Sequence, residues 1–405
     1  MKDWKEYRLG EMIQCNPQVK LEKGKSYTLI DIDSIEIGSR YVKGKELTEY
    51  DGQSGCHFQN GDTVMARITP CLENGKIAQV QCESQKGFGS TELFVFRGME
   101  NKTDSNYVFN LMSMQFIRDL AANSMTGASG RQRADLGFIK RIKWNFPPLP
   151  TQEKIASILS AYDNLIQNYK KQIEALQTAA SELYKEWFVR FRFPGYKNSR
   201  FENGIPEGWK IVRVGDYVKI KSGFAFKSEW WQDEGCPVVK IKDIDNGEIV
   251  ITDLDFVSEE HTKKAKSFLL NEGDLVIAMT GATIGKIGLA PKIKNLYTNQ
   301  RVGKFFLPEN PFETMPFLYC LFSQNSTVET ILCLSGASSA QPNISPDQLE
   351  SIKFFFNEDI VFQFNKKSAP FFRKILKLRE QITNLTQQRD LLLPRLMSGK
   401  LEVLK

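Results

Sequence analysis

Beyond the proline-rich segment PPLP at 147–150, apolar side chains return at alternating steps of four and three: Ile155, Leu159, Tyr162, Ile166, Tyr169, Ile173, Leu176, Ala180, Leu183 and Trp187. A period of about 3.5 residues held this long predicts a helix with a coiled-coil seam, not a strand, whose period would be two. Adding 209 to each number gives Phe364, Ser368, Phe371, Ile375, Leu378, Ile382, Leu385, Arg389, Leu392 and Leu396, the same seam with two polar interruptions. Pro370 and Pro394 fall inside it. Proline lacks the backbone donor and its ring crowds the preceding turn, so the second helix is expected over about 371–393. One such stripe would equally describe an ordinary core helix. Two in equivalent register point to a pair.

The seams close a longer repeat. TGASGRQ (126–132) matches SGASSAQ (335–341), placing Gln132 over Gln341, and Trp4, Lys5, Arg8 and Gly10 lie over Trp209, Lys210, Arg213 and Gly215. Between them, NGDTVMA and NGKIA (60–66, 74–78) are echoed by EGDLVIA and IGKIG (272–278, 284–288). Three matches in order indicate duplication with divergence.

Connectivity then sets the expected architecture. The fold class is α+β: two mixed α/β domains separated by two long antiparallel coiled-coil helices, a pseudo-two-fold tandem repeat. The segments are 1–150 for the first domain, 151–192 for a central spacer helix, 193–358 for the second domain and 359–405 for the distal helix and tail. The first domain feeds one end of the first helix and the second domain leaves the other, so a paired second helix must run back. A seam of about 33 residues spans roughly 50 Å at 1.5 Å per residue. It could serve as a ruler.

Composition excludes more than it specifies. No apolar run approaches the ~20 residues of a membrane span, and MKDWKEYRLG at the N-terminus lacks a signal-peptide core. The 7 cysteines form no CxxC pair, so a cytoplasmic location is expected. Of the net charge of +6, the stretch 360–405 holds a marked share, 10 Lys/Arg against 3 Asp/Glu, whereas 196–359 has 18 against 22. A basic helix could meet phosphates or an acidic partner, or could be a solvated face.

Catalytic constellations are missing. The 2 histidines, His57 and His261, sit in no metal or triad spacing. Cys56 beside His57 would point to the opposite face of an extended segment. GATIGK (281–286) has three residues between its glycines where a Walker loop has four, and Ile287 follows the lysine. No dinucleotide GxGxxG and no Asn-Pro-Pro-aromatic methyltransferase motif occurs. The chain is expected not to be an enzyme, to hold no metal and to bind no cofactor.

FPPLPTQEKIASILSAYDNLI (146–166) resembles the central conserved region of type I restriction–modification specificity subunits, and LTQQRDLLLPRLMSGKLEV (385–403) their distal one. GASGRQRADLGFIKRIKW (127–144) and GASSAQPNISPDQLESIKF (336–354) resemble the ends of their target-recognition domains. GFGSTELFVFRG (87–98) and YTNQRVGKFF (297–306) complete a likeness that covers the chain in the family's order. It departs at FFNEDIVFQFNKK (355–367), where the family has a proline-rich lead into the helix. The resemblance implies a non-catalytic subunit whose domains each read one half of a bipartite, asymmetric site on double-stranded DNA. Its helices would set the gap. Expected partners are two methyltransferase subunits and two restriction endonuclease/translocase subunits, which alone would carry S-adenosylmethionine, ATP and Mg. A coiled-coil scaffold that binds no DNA is the competing reading.

Arginine and lysine suit guanine, Asn and Gln suit adenine, and Ser, Thr and Lys serve phosphates. In polar turns recurring in both halves, the DNA-binding candidates are Arg67, Thr69, Lys76, Ser90, Thr91, Arg131, Gln132 and Arg133. The second half offers Thr280, Thr283, Lys286, Asn299, Gln300, Arg301, Ser338, Gln341 and Asn343. A turn-stabilising or solvated role competes at each. For the helices, the spacer and partner residues are Ile155, Leu159, Tyr162, Ile166, Tyr169, Ile173, Leu176, Leu183 and Trp187, together with Phe371, Ile375, Leu378, Ile382, Leu385 and Leu392.

Overall fold

The computed structural model describes residues 3–127, 132–336 and 342–403. They form two compact units: Met1–Asn168 with Ile382–Lys405, and Tyr169–Gln381. Each unit comprises one mixed domain and a part of both helices.

In the first unit, a five-stranded sheet runs Ile13–Cys15, Leu93–Gly98, Thr63–Ala66, Ile77–Val80, Tyr41–Val42. A four-stranded sheet runs Leu47–Tyr50, Lys25–Ile30, Lys86–Gly89, Cys56–Gln59. Side chains alternate across a strand, and both faces of the first sheet are covered, so its strands read as continuous apolar runs. Val64, Ala66, Leu93 and Val95 pack with Ile30 and Phe58 of the four-stranded sheet. Met65, Phe94 and Phe96 face the other way, onto the helix Ser105–Ser113 and the long-helix residues Ile155, Leu159, Leu396 and Met397.

The second unit repeats this plan. Its six-stranded sheet runs Lys219–Ser222, Val302–Phe306, Leu275–Ala278, Ile287–Leu289, Gly247–Ile249, Ile244–Asp245, and a five-stranded sheet accompanies it. In the first unit Lys5–Arg8 pairs with Lys143–Phe146; Lys210–Arg213 pairs with Lys353–Phe356 in the same antiparallel manner. The parallel pair of Lys25–Ile30 with Lys86–Gly89 has its counterpart in Cys236–Val239 with Leu296–Thr298.

The first long helix runs Leu149–Tyr184 and ends in a wider turn, Lys185–Val189. Its start is held by Gln152, whose buried amide accepts from the Asp104 N–H and donates to the Lys102 and Pro147 carbonyls. The second runs Glu358–Met397 without interruption. This corrects the expectation that prolines would confine it to about 371–393. Pro370 and Pro394 are both exposed, so the carbonyls they leave unbonded can be hydrated while the opposite face stays packed. Asn357 stands in for the family's proline-rich lead: its side-chain oxygen accepts from the Ile360 N–H at 3.2 Å, capping the first turn.

Within the first unit the helices run antiparallel. Ile155 and Leu159 share a core with Leu396 and Met397, and further along Asp163 meets Arg389. Within the second unit Trp187, Tyr184 and Phe188 pack on Phe364. Ile155, Leu159, Ile166, Ile173, Trp187, Ile375 and Leu378 of the seams are buried. Tyr162, Tyr169, Leu176, Leu183, Phe371, Ile382, Leu385 and Leu392 are half-buried. At the start of the second seam it is Phe372, not Phe371, that is fully enclosed.

Candidate nucleic-acid interface

In the first unit three separated segments meet at one junction. The Arg67 N–H donates to the Glu92 carbonyl at 2.9 Å, the Ala134 N–H to the Arg67 carbonyl at 2.9 Å, and the Thr69 N–H to the Gln132 carbonyl at 3.1 Å. These bonds gather Arg67, Thr69, Ser90, Thr91, Gln132 and Arg133, six of the eight candidates of that half. Their side chains are not equally available. Arg133 grips Glu92 through Nε and Nη2, and that guanidinium holds the Glu92 carboxyl below the usual range. Ser90 Oγ accepts from the Glu92 N–H at 3.1 Å, and Thr69 Oγ1 faces the Met125 sulfur. Arg67 lies over the Phe94 ring at 4.8 Å, its Nε buried and without a hydrogen-bond partner. With the exposed Thr91 it lines a cleft that also contains Asn16, Gln18, Lys20 and His57.

The second unit has the same junction, bond for bond. Met279 N–H donates to the Arg301 carbonyl at 3.1 Å, Ile344 N–H to the Met279 carbonyl at 2.9 Å, and Gly281 N–H to the Pro342 carbonyl at 3.1 Å. The bridge between Ile68 and Arg133 becomes one between Thr280 and Asn343. Structural equivalence therefore pairs Arg67 with Met279, Glu92 with Arg301, Arg133 with Asn343, and Gln132 with Pro342. The sequence match of Gln132 to Gln341 is out by one, because the connecting loop is one residue longer in the second unit. Asn299, Gln300, Arg301, Thr280 and Asn343 come together here.

A family model described as type I restriction modification DNA specificity domain matches residues 1–178 and 206–356. The chain belongs to the type I restriction–modification DNA specificity family. The MjaVIII specificity subunit of Methanocaldococcus jannaschii is 28% identical over 360 residues, covering 87% of this chain and 81% of that protein. The HindI specificity subunit of Haemophilus influenzae is 22% identical over 472 aligned positions, covering 99% and 100%. A solved type I restriction–modification system S subunit from M. genitalium shares the fold, with a TM-score of 0.55 at 17% identity over 97% of this chain and 96% of that one. Membership makes this chain a specificity subunit, the non-catalytic member of such a system.

Two lysine candidates of this specificity subunit have partners within the protein. Lys76 reaches the Ile32 carbonyl at 2.9 Å and Asp33 at 3.6 Å. Lys286 bonds Asp245 at 2.6 Å. The two are equivalent, each following a glycine in the left-handed region, Gly75 at φ 76° and Gly285 at φ 82°. Each lysine ties this turn to the strand-edge segment beside it. Thr283 lies in the same turn region, its hydroxyl buried without a partner, as is that of Thr280. Arg131, Ser338 and Gln341 lie outside the described residues.

Cys56 and His57 form no dyad: His57 Nδ1 lies 2.9 Å from the Val19 carbonyl, and burial pushes the Cys56 thiol up to about 12. Among the described residues no group of three or more His, Cys, Asp and Glu is placed to hold a metal ion. No described helix is long and apolar enough to cross a membrane.

Proposed function

We propose that each unit reads one half of a bipartite, asymmetric DNA site through its loop junction, and that the long helices set the gap between the halves and dock methyltransferase subunits. The duplicated junction carries this reading. One backbone frame recurs, yet the side chains on it differ at nearly every candidate position, as two heads reading different bases require. The first helix, with 36 residues, would span about 54 Å at 1.5 Å per residue. In the assembled enzyme the stoichiometry would be one specificity subunit to two methyltransferase and two endonuclease/translocase subunits. S-adenosylmethionine, ATP and magnesium would sit on those partners, in the cytoplasm.

Exchanging residues 1–146 for the equivalent domain of another specificity subunit tests the division of labour. With partners co-expressed, only one half of the methylated motif should change. Both halves changing together would contradict the two-head reading.

A further inference from the structure

The turn that follows the parallel strand pair is built identically in both units. Ser90 N–H donates to the Ile30 carbonyl at 3.2 Å and Leu93 N–H to the Ser90 carbonyl at 3.2 Å; Asn299 N–H donates to the Val239 carbonyl at 3.0 Å and Val302 N–H to the Asn299 carbonyl at 2.9 Å. Position by position, Ser90, Thr91 and Glu92 therefore correspond to Asn299, Gln300 and Arg301.

The chemistry on this common frame is opposite in kind. In the first unit the turn holds two short hydroxyl side chains and a carboxylate already bonded to Arg133. In the second it holds two amides and a guanidinium. Gln300 and Arg301 are exposed, Asn299 is half-buried, and none of the three makes a side-chain hydrogen bond or ion pair among the described residues. Opposite Arg301, at the place of Arg133, stands Asn343, also exposed and also without a side-chain partner there. A guanidinium matches the O6 and N7 acceptors of guanine, and a carboxamide matches the N6 donor and N7 acceptor of adenine. A turn stabiliser would be expected to bond the protein around it, as Lys286 bonds Asp245 of the neighbouring segment.

We propose, on the reading above, that the Asn299–Gln300–Arg301 turn is the base-reading tip of the second unit, with Arg301 selecting a guanine. The first unit does not use the matching turn. There Glu92 holds Arg133 in place, and the unpaired guanidinium, Arg67, comes from the adjoining strand end, where the second unit has the uncharged Met279. The units thus read from different corners of one frame, so the guanine contact falls at a different place in each half-site.

The test uses the full chain assembled with its methyltransferase partners. Binding is measured on duplexes in which each base pair of the recognised motif is changed in turn. The unaltered complex must first show a two-part motif; without one, the underlying reading fails rather than this inference. For Arg301→Ala and Arg301→Lys, discrimination at a single G·C pair of one half-site should fall on the order of tenfold to a hundredfold, with the other half-site read as before. Asn299→Ser with Gln300→Thr should relax positions in that same half-site. Arg67→Ala, in the first unit, should relax a position in the other half-site only. A uniform loss of affinity with discrimination intact would mark Arg301 as a phosphate contact and overturn the proposal, as would an unchanged motif or changes in both halves.

Discussion

Arg389 Nη1 lies 2.7 Å from Asp163 Oδ1, joining two residues 226 apart in sequence and belonging to different long helices. The other carboxylate oxygen of Asp163 takes Arg40 Nη1 at 2.9 Å, from the edge of the five-stranded sheet. Asp163 and Arg40 are nearly inaccessible, with side-chain exposures of 3% and 2%. One carboxylate thus fixes both helices to the domain. Arg40 is further satisfied by Gln79 and Asn106 and lies over the Phe109 ring.

Replacing Asp163 by Asn would leave the enclosed Arg40 guanidinium without its counter-charge, while Arg389 would keep only Asp390. Breaking a buried pair in this way costs about 3–5 kcal/mol. Denaturant unfolding of the purified chain should show a loss of that size, and an unchanged midpoint would mean the triad contributes nothing.

The seams give a graded expectation. Leu378 is completely enclosed, and Leu378→Ala should cost about 2–5 kcal/mol through lost burial and the cavity left behind. Ile173→Asp should abolish pull-down of methyltransferase subunits, because a carboxylate there would be taken out of water. At the half-buried Leu176 and Leu385, aspartate can turn toward solvent, so assembly should be weakened less. Equal losses at all these positions would show that burial does not rank the seam.

The seam was readable because a 3.5-residue period constrains dozens of positions together, and Ile155, Leu159, Ile166 and Ile173 are enclosed as it demands. Its two polar interruptions were not interpretable from sequence alone. Ser368 is buried with its hydroxyl on the Phe364 carbonyl, and Arg389 finds Asp163 across the helix pair. The serine's partner is the carbonyl four residues back, as helix spacing allows, whereas no spacing announces Asp163. The prolines misled for a related reason: whether a missing donor ends a helix depends on which face it occupies, and Pro370 and Pro394 face solvent. At the junction, composition and recurrence singled out loops that the fold brings together. They could not separate Arg301 from Lys286, since the partner that occupies Lys286, Asp245, lies 41 residues away.

The isolated chain should transfer no methyl group and cut no DNA. Cys56 is held far above the range in which a thiol ionises at neutral pH, and His57 is engaged with a backbone carbonyl. Incubation with S-adenosylmethionine, and separately with magnesium and ATP, on DNA containing the site checks this. Methyl transfer by a preparation rigorously free of partner subunits would overturn it.

The boundary between the compact units falls between Asn168 and Tyr169 in the first helix and between Gln381 and Ile382 in the second. Inserting four residues at both places leaves the contacts inside each unit untouched. Each helix would lengthen by about 6 Å at 1.5 Å per residue. With base pairs about 3.4 Å apart along the duplex, the gap in the methylated motif should grow by one to two base pairs. Base identities in each half-site should stay as they were, because the junction loops are unchanged. Four residues are tolerated by a coiled coil as a stutter that unwinds it locally, whereas three overwind it, so the three-residue variant should assemble less well. An insertion in the first helix alone would leave the two connections unequal in length and should also lower methylation. The methylated motif in cells carrying each variant with its partners is the readout. If methylation persists across an unaltered gap in the doubly extended chain, the helices do not set the distance.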